Sequence, residues 1–273
     1  MVYKNISSAS NKILQLFLPV YRQSFHLHEV FDAFPDKNKE SIRALLAGMV
    51  RRGLLMRLKE AHYFIIPFDQ PAESFMPNWH SISADLVGNQ PHYIGYFSAL
   101  EIHGLITQPS MAQQIVVAKQ VRPSKIYLKK IPFRFIYHSP THFFGFEKKW
   151  INGYQQVYCS SLEKTIIDCL FKPEYGGGII EIAKAIFMAK DQIKFDQLLE
   201  FAIKFNSNAV IKRLGYLLDL LDLQTDILPE LGRLKTNGFV VLDTELPAVG
   251  KRTTAWNIQQ NVAPETIKAS LFT

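Results

Sequence analysis

The 273 residues contain only two cysteines, Cys159 and Cys169, and no Cys-x-x-Cys. This excludes a disulfide framework or a zinc knuckle and fits a reducing, cytoplasmic setting. No apolar run approaches the roughly 18 residues of a membrane-spanning helix. The opening MVYKNISSASNK lacks a long apolar region and a small-residue cleavage site, so neither a secretory leader nor a membrane partner is expected. A P-loop G-x-x-x-x-G-K-[ST] and a dinucleotide fingerprint G-x-G-x-x-G are both absent. Neither low-complexity tracts nor repeats with a period of roughly 20–50 residues occur.

What is present is ordinary for a globular chain: 48% hydrophobic and 20% charged residues, which rules out a disordered polymer. The length suits one large domain or two ordinary ones. The net charge of +7 is uneven: +4 over residues 1–70, +4 over 71–150 and −1 over 151–273. A basic first half points to a polyanion partner for that half.

The first 70 residues divide into short elements. SASNKILQLFLPVY reads as a helix with Pro19 near its end. HLHEVFDAFP is a shorter helix, its apolar residues Leu27, Val30, Phe31 and Phe34 at helical spacing, stopped by Pro35. A third helix follows Asp36 and Asn38 as candidate caps, buries Ile42, Leu45, Leu46 and Met49, and ends near Gly53. LLMRLKEAHYFIIP reads as two strands with Glu60-Ala61 near the turn. Three helices and a hairpin are the order of a winged helix-turn-helix. On the third helix, the face opposite the apolar stripe carries Glu40, Arg43, Ala44, Ala47 and Arg51. Two alanines permit close approach to a major groove, Arg43 suits guanine and Glu40 suits cytosine. Lys37, Lys39, Arg51, Arg52, Arg57 and Lys59 are assigned to phosphates.

PFDQPAESFMPNW reads as a linker, placed at residues 71–79, and residues 80–273 as a second domain. A helix is expected over Ser98–His103, closed by Gly104. Extended segments follow at Gln114–Lys119, Phe133–His138, Phe143–Ile151 and Tyr154–Cys159. Helices are expected at Ser161–Phe171, Ile179–Ala189, Phe195–Phe205, Ala209–Leu221 and Asp226–Lys235. The overall expectation is α+β: an N-terminal winged helix-turn-helix followed by a larger mixed α+β C-terminal domain.

Candidate chemistry in this second part is sparse. Gly176-Gly177-Gly178 lacks the lysine and hydroxyl of a phosphate loop and reads as a turn between helices. Ser160 and Glu163 match a capping box, and Asp168 is spaced for i,i+4 pairing with Lys164 and Lys172. Glu147 and Lys149 in FEKKW match the E-x-K half of a Mg²⁺-dependent nuclease core, with Asp85 and Glu101 as upstream acids; a charged strand edge is the alternative reading. His26-x-His28 and His138-x-x-x-His142 lack a third metal ligand at usual spacing, and Pro140 breaks the second pair. Ser98 lacks the glycines of a nucleophile elbow. Lys125, Lys129, Lys130 and Arg134 form a second basic cluster, a candidate auxiliary contact to a DNA backbone. Neither a catalytic constellation nor a metal or cofactor site is assigned.

Four segments resemble the AbiEi family, the antitoxin half of the AbiE type IV toxin–antitoxin (abortive-infection) systems. They are NKESIRALLAGMVRRGLLMRLKEAHYFIIP, YIGYFSALEIHGL, SSLEKTIIDCLFKPEYGGGIIEIAKAI, and IKRLGYLLDLL with VVLDTELPAVGKRTTAWNIQQNV. Together they cover about residues 38–262. Thr244 departs from the proline that often follows "LD" in that family. The resemblance implies a non-enzymatic phage-defence protein. Its winged helix would repress its own operon at inverted repeats in promoter duplex DNA. Its C-terminal domain would counter a nucleotidyltransferase-like toxin.

Overall fold

The structure is a computed structural model and describes residues 6–18, 23–106, 108–153 and 155–272. Pro19, expected near the end of the first helix, and Tyr154, expected to open a strand, lie outside the described residues. The chain separates into two compact units, Met1–Gly88 and Asn89–Thr273, so the stretch read as a linker falls within the first unit.

The first unit runs α1 (Ser8–Phe17), β1 (Ser24–His26), α2 (Leu27–Ala33), α3 (Lys39–Arg51), β2 (Leu55–Lys59), β3 (His62–Ile65) and α4 (Ser83–Val87). The three strands form an antiparallel sheet in the order β1-β3-β2. Strand β1 and helix α4 were not expected from the sequence; both are too short to show a period. Of the two candidate caps of α3, Asn38 does the work: its side chain accepts from the N–H groups of Glu40 and Ser41. At the other end Gly53 adopts φ +70°, and a Cβ there would lie 2.7 Å from that of Ala72. Ile13, Leu14, Phe25, Val30, Ile42, Leu46 and Met49 make one core, with Phe17 stacked on Phe25 at 4.4 Å. Each fully buried Leu, Ile or Phe there contributes about 1.5–3 kcal/mol.

The second unit is built on a six-stranded sheet in the order β6-β7-β5-β4-β9-β8. Its strands are β4 (His92–Ile94), β5 (Gln113–Val117), β6 (Lys125–Leu128), β7 (Ile131–Tyr137), β8 (Phe146–Trp150) and β9 (Gln156–Ser160), with α5 (Tyr96–Ile102) between the first two. β5 and β7 pair in parallel, as do β4 and β9; the remaining pairs are antiparallel. Helices follow: α6 (Leu162–Phe171), a 3-10 turn at Pro173–Tyr175, α7 (Gly178–Met188), α8 (Phe195–Phe205), α9 (Asn208–Leu220) and α10 (Leu228–Leu234). Each lies within two residues of its expected bounds. A small sheet of β10 (Val240–Val241), β11 (Lys251–Thr253) and β12 (Ile258–Gln260), then α11 (Pro264–Ser270), completes the chain. The fold is mixed α+β.

Two local expectations need correcting. The cap of α6 is Ser161, whose hydroxyl accepts from Lys164 N–H, and not Ser160. Ser160 is the last residue of β9, and its hydroxyl is 2.7 Å from that of Thr165. Glu163 does not reach back; its carboxylate accepts from the Lys194 N–H at 3.1 Å. Asp168 pairs with Lys164 as the spacing suggests, but in the core and not on a solvated face, and Lys172 takes no part.

Candidate nucleic-acid interface

The polar face of α3 is solvent-facing as its periodicity requires. Glu40, Arg43, Ala44, Ala47 and Arg51 are all exposed, while Ile42, Leu46 and Met49 on the other side are buried. Arg43 donates to Glu40 at 2.9 Å, and its guanidinium lies 5.4 Å from the Phe31 ring centroid. The pair is open to water, Arg43 53% and Glu40 77% exposed, so its mutual attraction is weak and separable. Lys39 sits over the same ring at 5.4 Å, and Lys37 is exposed beside it.

The remaining assigned cations divide. Arg57 points outward from β2 and donates to the Lys59 carbonyl at 3.3 Å. Arg52 is exposed but engaged: Nε donates to the Gly48 carbonyl and Nη2 to the Ser10 hydroxyl at 2.8 Å, linking the end of α3 to α1. Lys59 donates to the Leu86 carbonyl at 3.0 Å, and burial lowers its pKa. These two side chains hold the first unit together, which local sequence did not signal because their partners are 42 and 27 residues away.

Beside Lys59 lies a histidine group. The His26 and His62 rings are 3.8 Å apart between centroids, and His62 Nε2 is 3.6 Å from Asp85. Burial, with the nearby His26 and Lys59, lowers the His62 pKa to about 4, so it is neutral at pH 7. Among the described residues no group of three or more His, Cys, Asp or Glu is placed to hold a metal ion.

In the second unit, Lys125 and Arg134 face each other across the β6–β7 hairpin, and Lys129 and Lys130 form its two-residue turn. Both turn residues have positive φ, +46° and +73°, where Asn-Gly is the usual occupant. The hairpin thus presents two lysines at its exposed tip at a conformational cost. Glu147 and Lys149 form an exposed pair at 3.5 Å on β8, an edge strand. Asp85 lies in the first unit and Glu101 on α5, neither on a strand beside β8.

The second unit also contains a polar cluster that sequence reasoning did not assemble. Lys164 and Asp168 are fully buried and paired. Tyr93 OH donates to Asp168 at 3.0 Å and accepts from Lys164 at 2.9 Å. His138 lies against both tyrosines, 2.7 Å from Tyr96 OH and 3.3 Å from Tyr93 OH. The rings of Phe144 and Phe205 enclose the Lys164 ammonium at 5.1 Å. Burial lowers the pKa of Lys164, opposed by Asp168, and drives that of His138 down to about 4. Lys164 and Asp168 have no exposed surface, and the cluster ties β4, α6 and the residue after β7 together.

The other distinctive polar residues also have structural jobs. Arg213 donates to the Leu170 carbonyl at 2.7 Å, satisfying the end of α6, and to Val241 on β10 at 2.8 Å. Asp243 accepts from the Ile179 N–H at 2.8 Å and so caps α7. Gly178, at φ +81°, makes room for that carboxylate: a Cβ would sit 3.0 Å from it.

No protein-family model matches the sequence, and no curated protein does. A solved structure, that of the RV2827C protein from Mycobacterium tuberculosis, is similar. It superposes with a TM-score of 0.66 over 94% of this chain and 92% of that one, at 12% identity. At that identity the likeness speaks for the fold alone: the mixed α+β architecture recurs. Among the described residues, no helix is long and apolar enough to cross a membrane.

Proposed function

We propose that the chain is a duplex-DNA-binding antitoxin that represses its own operon from the cytoplasm. In this reading the first unit is a winged helix: α3 enters the major groove, and the β2–β3 pair is the wing. The observation that carries it is the exposed face of α3, two alanines flanked by Glu40, Arg43 and Arg51 and followed by the outward Arg57. A major-groove reader needs small residues for approach and forked donors for base edges. The element order α1–β1–α2–α3–β2–β3 and the antiparallel sheet support the winged-helix assignment. Arg43 and Glu40 read bases; Lys37, Lys39, Arg51 and Arg57 meet phosphates. Arg52, exposed but bonded to Ser10, and Lys59, half-buried on the Leu86 carbonyl, are read as bracing.

The second unit is proposed to oppose a nucleotidyltransferase-like toxin, on the resemblance of its motifs to AbiEi antitoxins. Gel-shift titration of the full chain on DNA from immediately upstream of its own gene tests the first half. Retarded complexes that survive excess unrelated duplex are expected; binding no tighter than to unrelated duplex overturns it. Co-expression with a neighbouring nucleotidyltransferase-like gene tests the second half: growth is restored if the proposal holds and stays arrested if it does not.

A further inference from the structure

A groove of about 430 Å³ opens within the second unit, beside the end of β7 and the exit from α6. Such a volume falls in the range of small-ligand sites, about 300–1,000 Å³. Its walls include Arg122, Ser124, Tyr137, Lys172 and Tyr175. The residues come from separate stretches of the chain, so no motif announces them.

Two kinds of chemistry meet there. The first is positive charge: among the described residues, no carboxylate lies within ion-pair distance of Arg122 or Lys172. Arg134, next to the groove, is partly balanced by Glu245. The second is aromatic surface. Lys172 lies 5.5 Å from the Tyr175 ring centroid and Arg134 lies 5.8 Å from it. Tyr137 is 43% exposed on the groove wall. Tyr127, on the adjoining edge strand, is 64% exposed. Uncompensated cations in a concavity attract an anion, and exposed tyrosine faces stack on flat rings. An anionic group joined to a flat ring is the chemistry of a nucleotide. In a duplex the base faces are hidden by stacking, so tyrosines can be used only on an unpaired base. An acidic peptide would satisfy the cations and leave the ring faces unused.

We propose that this groove binds unpaired nucleotides, Arg122 and Lys172 holding the phosphate and Tyr137 stacking on the base. The ligand is a free nucleotide or one unit of a single strand. The site is separate from the duplex contacts proposed for α3 and does not rest on them.

Fluorescence anisotropy of the full chain tests the proposal, with labelled oligothymidylate, labelled promoter duplex, and unlabelled UMP as competitor. The wild-type chain binds the oligothymidylate. The double variant Arg122→Ala/Lys172→Ala weakens that binding by roughly tenfold or more. Tyr137→Ala weakens it by about fivefold or more while Tyr137→Phe does not, the mark of stacking and not of charge alone. Displacement by UMP identifies a free-nucleotide site; retention of the strand in excess UMP identifies a strand site. Three results overturn the proposal. In one, Tyr137→Ala is indistinguishable from Tyr137→Phe. In another, the double variant retains wild-type strand affinity or loses duplex affinity by the same factor. In the third, the wild-type chain binds neither single-stranded probe nor UMP. Arg43→Ala separates the two readings: it loses promoter affinity and keeps the oligothymidylate.

Discussion

In the unbound protein Arg43 leans on Glu40 and on the ring of Phe31, and both contacts are exposed to water. In the proposed reading, moving to a guanine edge costs little, and the substitution Arg43→Ala would remove a base contact without disturbing the core. It is expected to cost about 1–3 kcal/mol of promoter affinity and to relax preference at one base pair. Competition gel shifts with single-base operator variants read both; unchanged affinity sinks the assignment of α3 as the reading helix. Asp168 is the opposite case. Truncating it strands the Lys164 ammonium in a closed core, so Asp168→Ala is expected to cost about 3–5 kcal/mol in urea unfolding. Replacing both charges, Lys164→Met with Asp168→Leu, is expected to recover most of that loss, because no buried charge remains. Equal loss in the double variant contradicts this account. Two of the buried histidines set a pH dependence. His62 and His138 each hold a pKa of about 4 when folded against an ordinary 6.5, because burial penalises the charged ring. The unfolded chain therefore binds more protons between those values. The stability contributed is present above pH 6.5 and is lost as pH falls toward 4. The slope approaches about 1.4 kcal/mol per pH unit for each histidine. Urea midpoints that stay flat between pH 7 and 4.5 would disprove it.

At the scale of elements, the β2–β3 pair presents one outward cation and one committed cation. Arg57 faces solvent, whereas Lys59 braces α4 through the Leu86 carbonyl. Arg57→Ala should reduce the slope of log affinity against log salt by about 0.9, and Lys59→Ala should leave it nearly unchanged. Equal changes in slope would mean that Lys59 leaves its carbonyl when DNA arrives. The same elements show what was legible beforehand. The apolar spacing of α3, with its Asn38 cap and its Gly53 exit, shows up in adjacent residues because 3.6-residue periodicity and capping are local effects. The bounds of α6 to α10 were readable for the same reason. Strands β1 and β4 were not, since three residues carry no period, and the cap of α6 was misplaced by one residue because β9 claims Ser160.

At the scale of the whole molecule, the motifs that resemble AbiEi antitoxins are largely those that build the second unit. Arg213 ties α6 to β10, Asp243 caps α7, and Gly215 admits the Trp256 ring, which a Cβ would meet at 2.1 Å. They carry fold, and the toxin opposition proposed for this unit would use other, exposed residues. If the two roles reside in different units, Arg43→Ala should weaken promoter binding and still restore growth in cells co-expressing the toxin gene. Loss of both together would show that repression and neutralisation share one surface. The sequence alone determined the longer helices, the exposed face of α3, the uneven charge and the mixed α+β class, because each follows from residues a few positions apart. The tertiary structure decided which charges are available. It buried Lys164 and Asp168 with Tyr93 from 71 and 75 residues away, and it engaged Arg52 with Ser10 and Lys59 with Leu86. It also gathered Arg122, Tyr137 and Lys172 around one groove. The partner of a polar side chain depends on which distant segments the core brings together, and no local pattern encodes that.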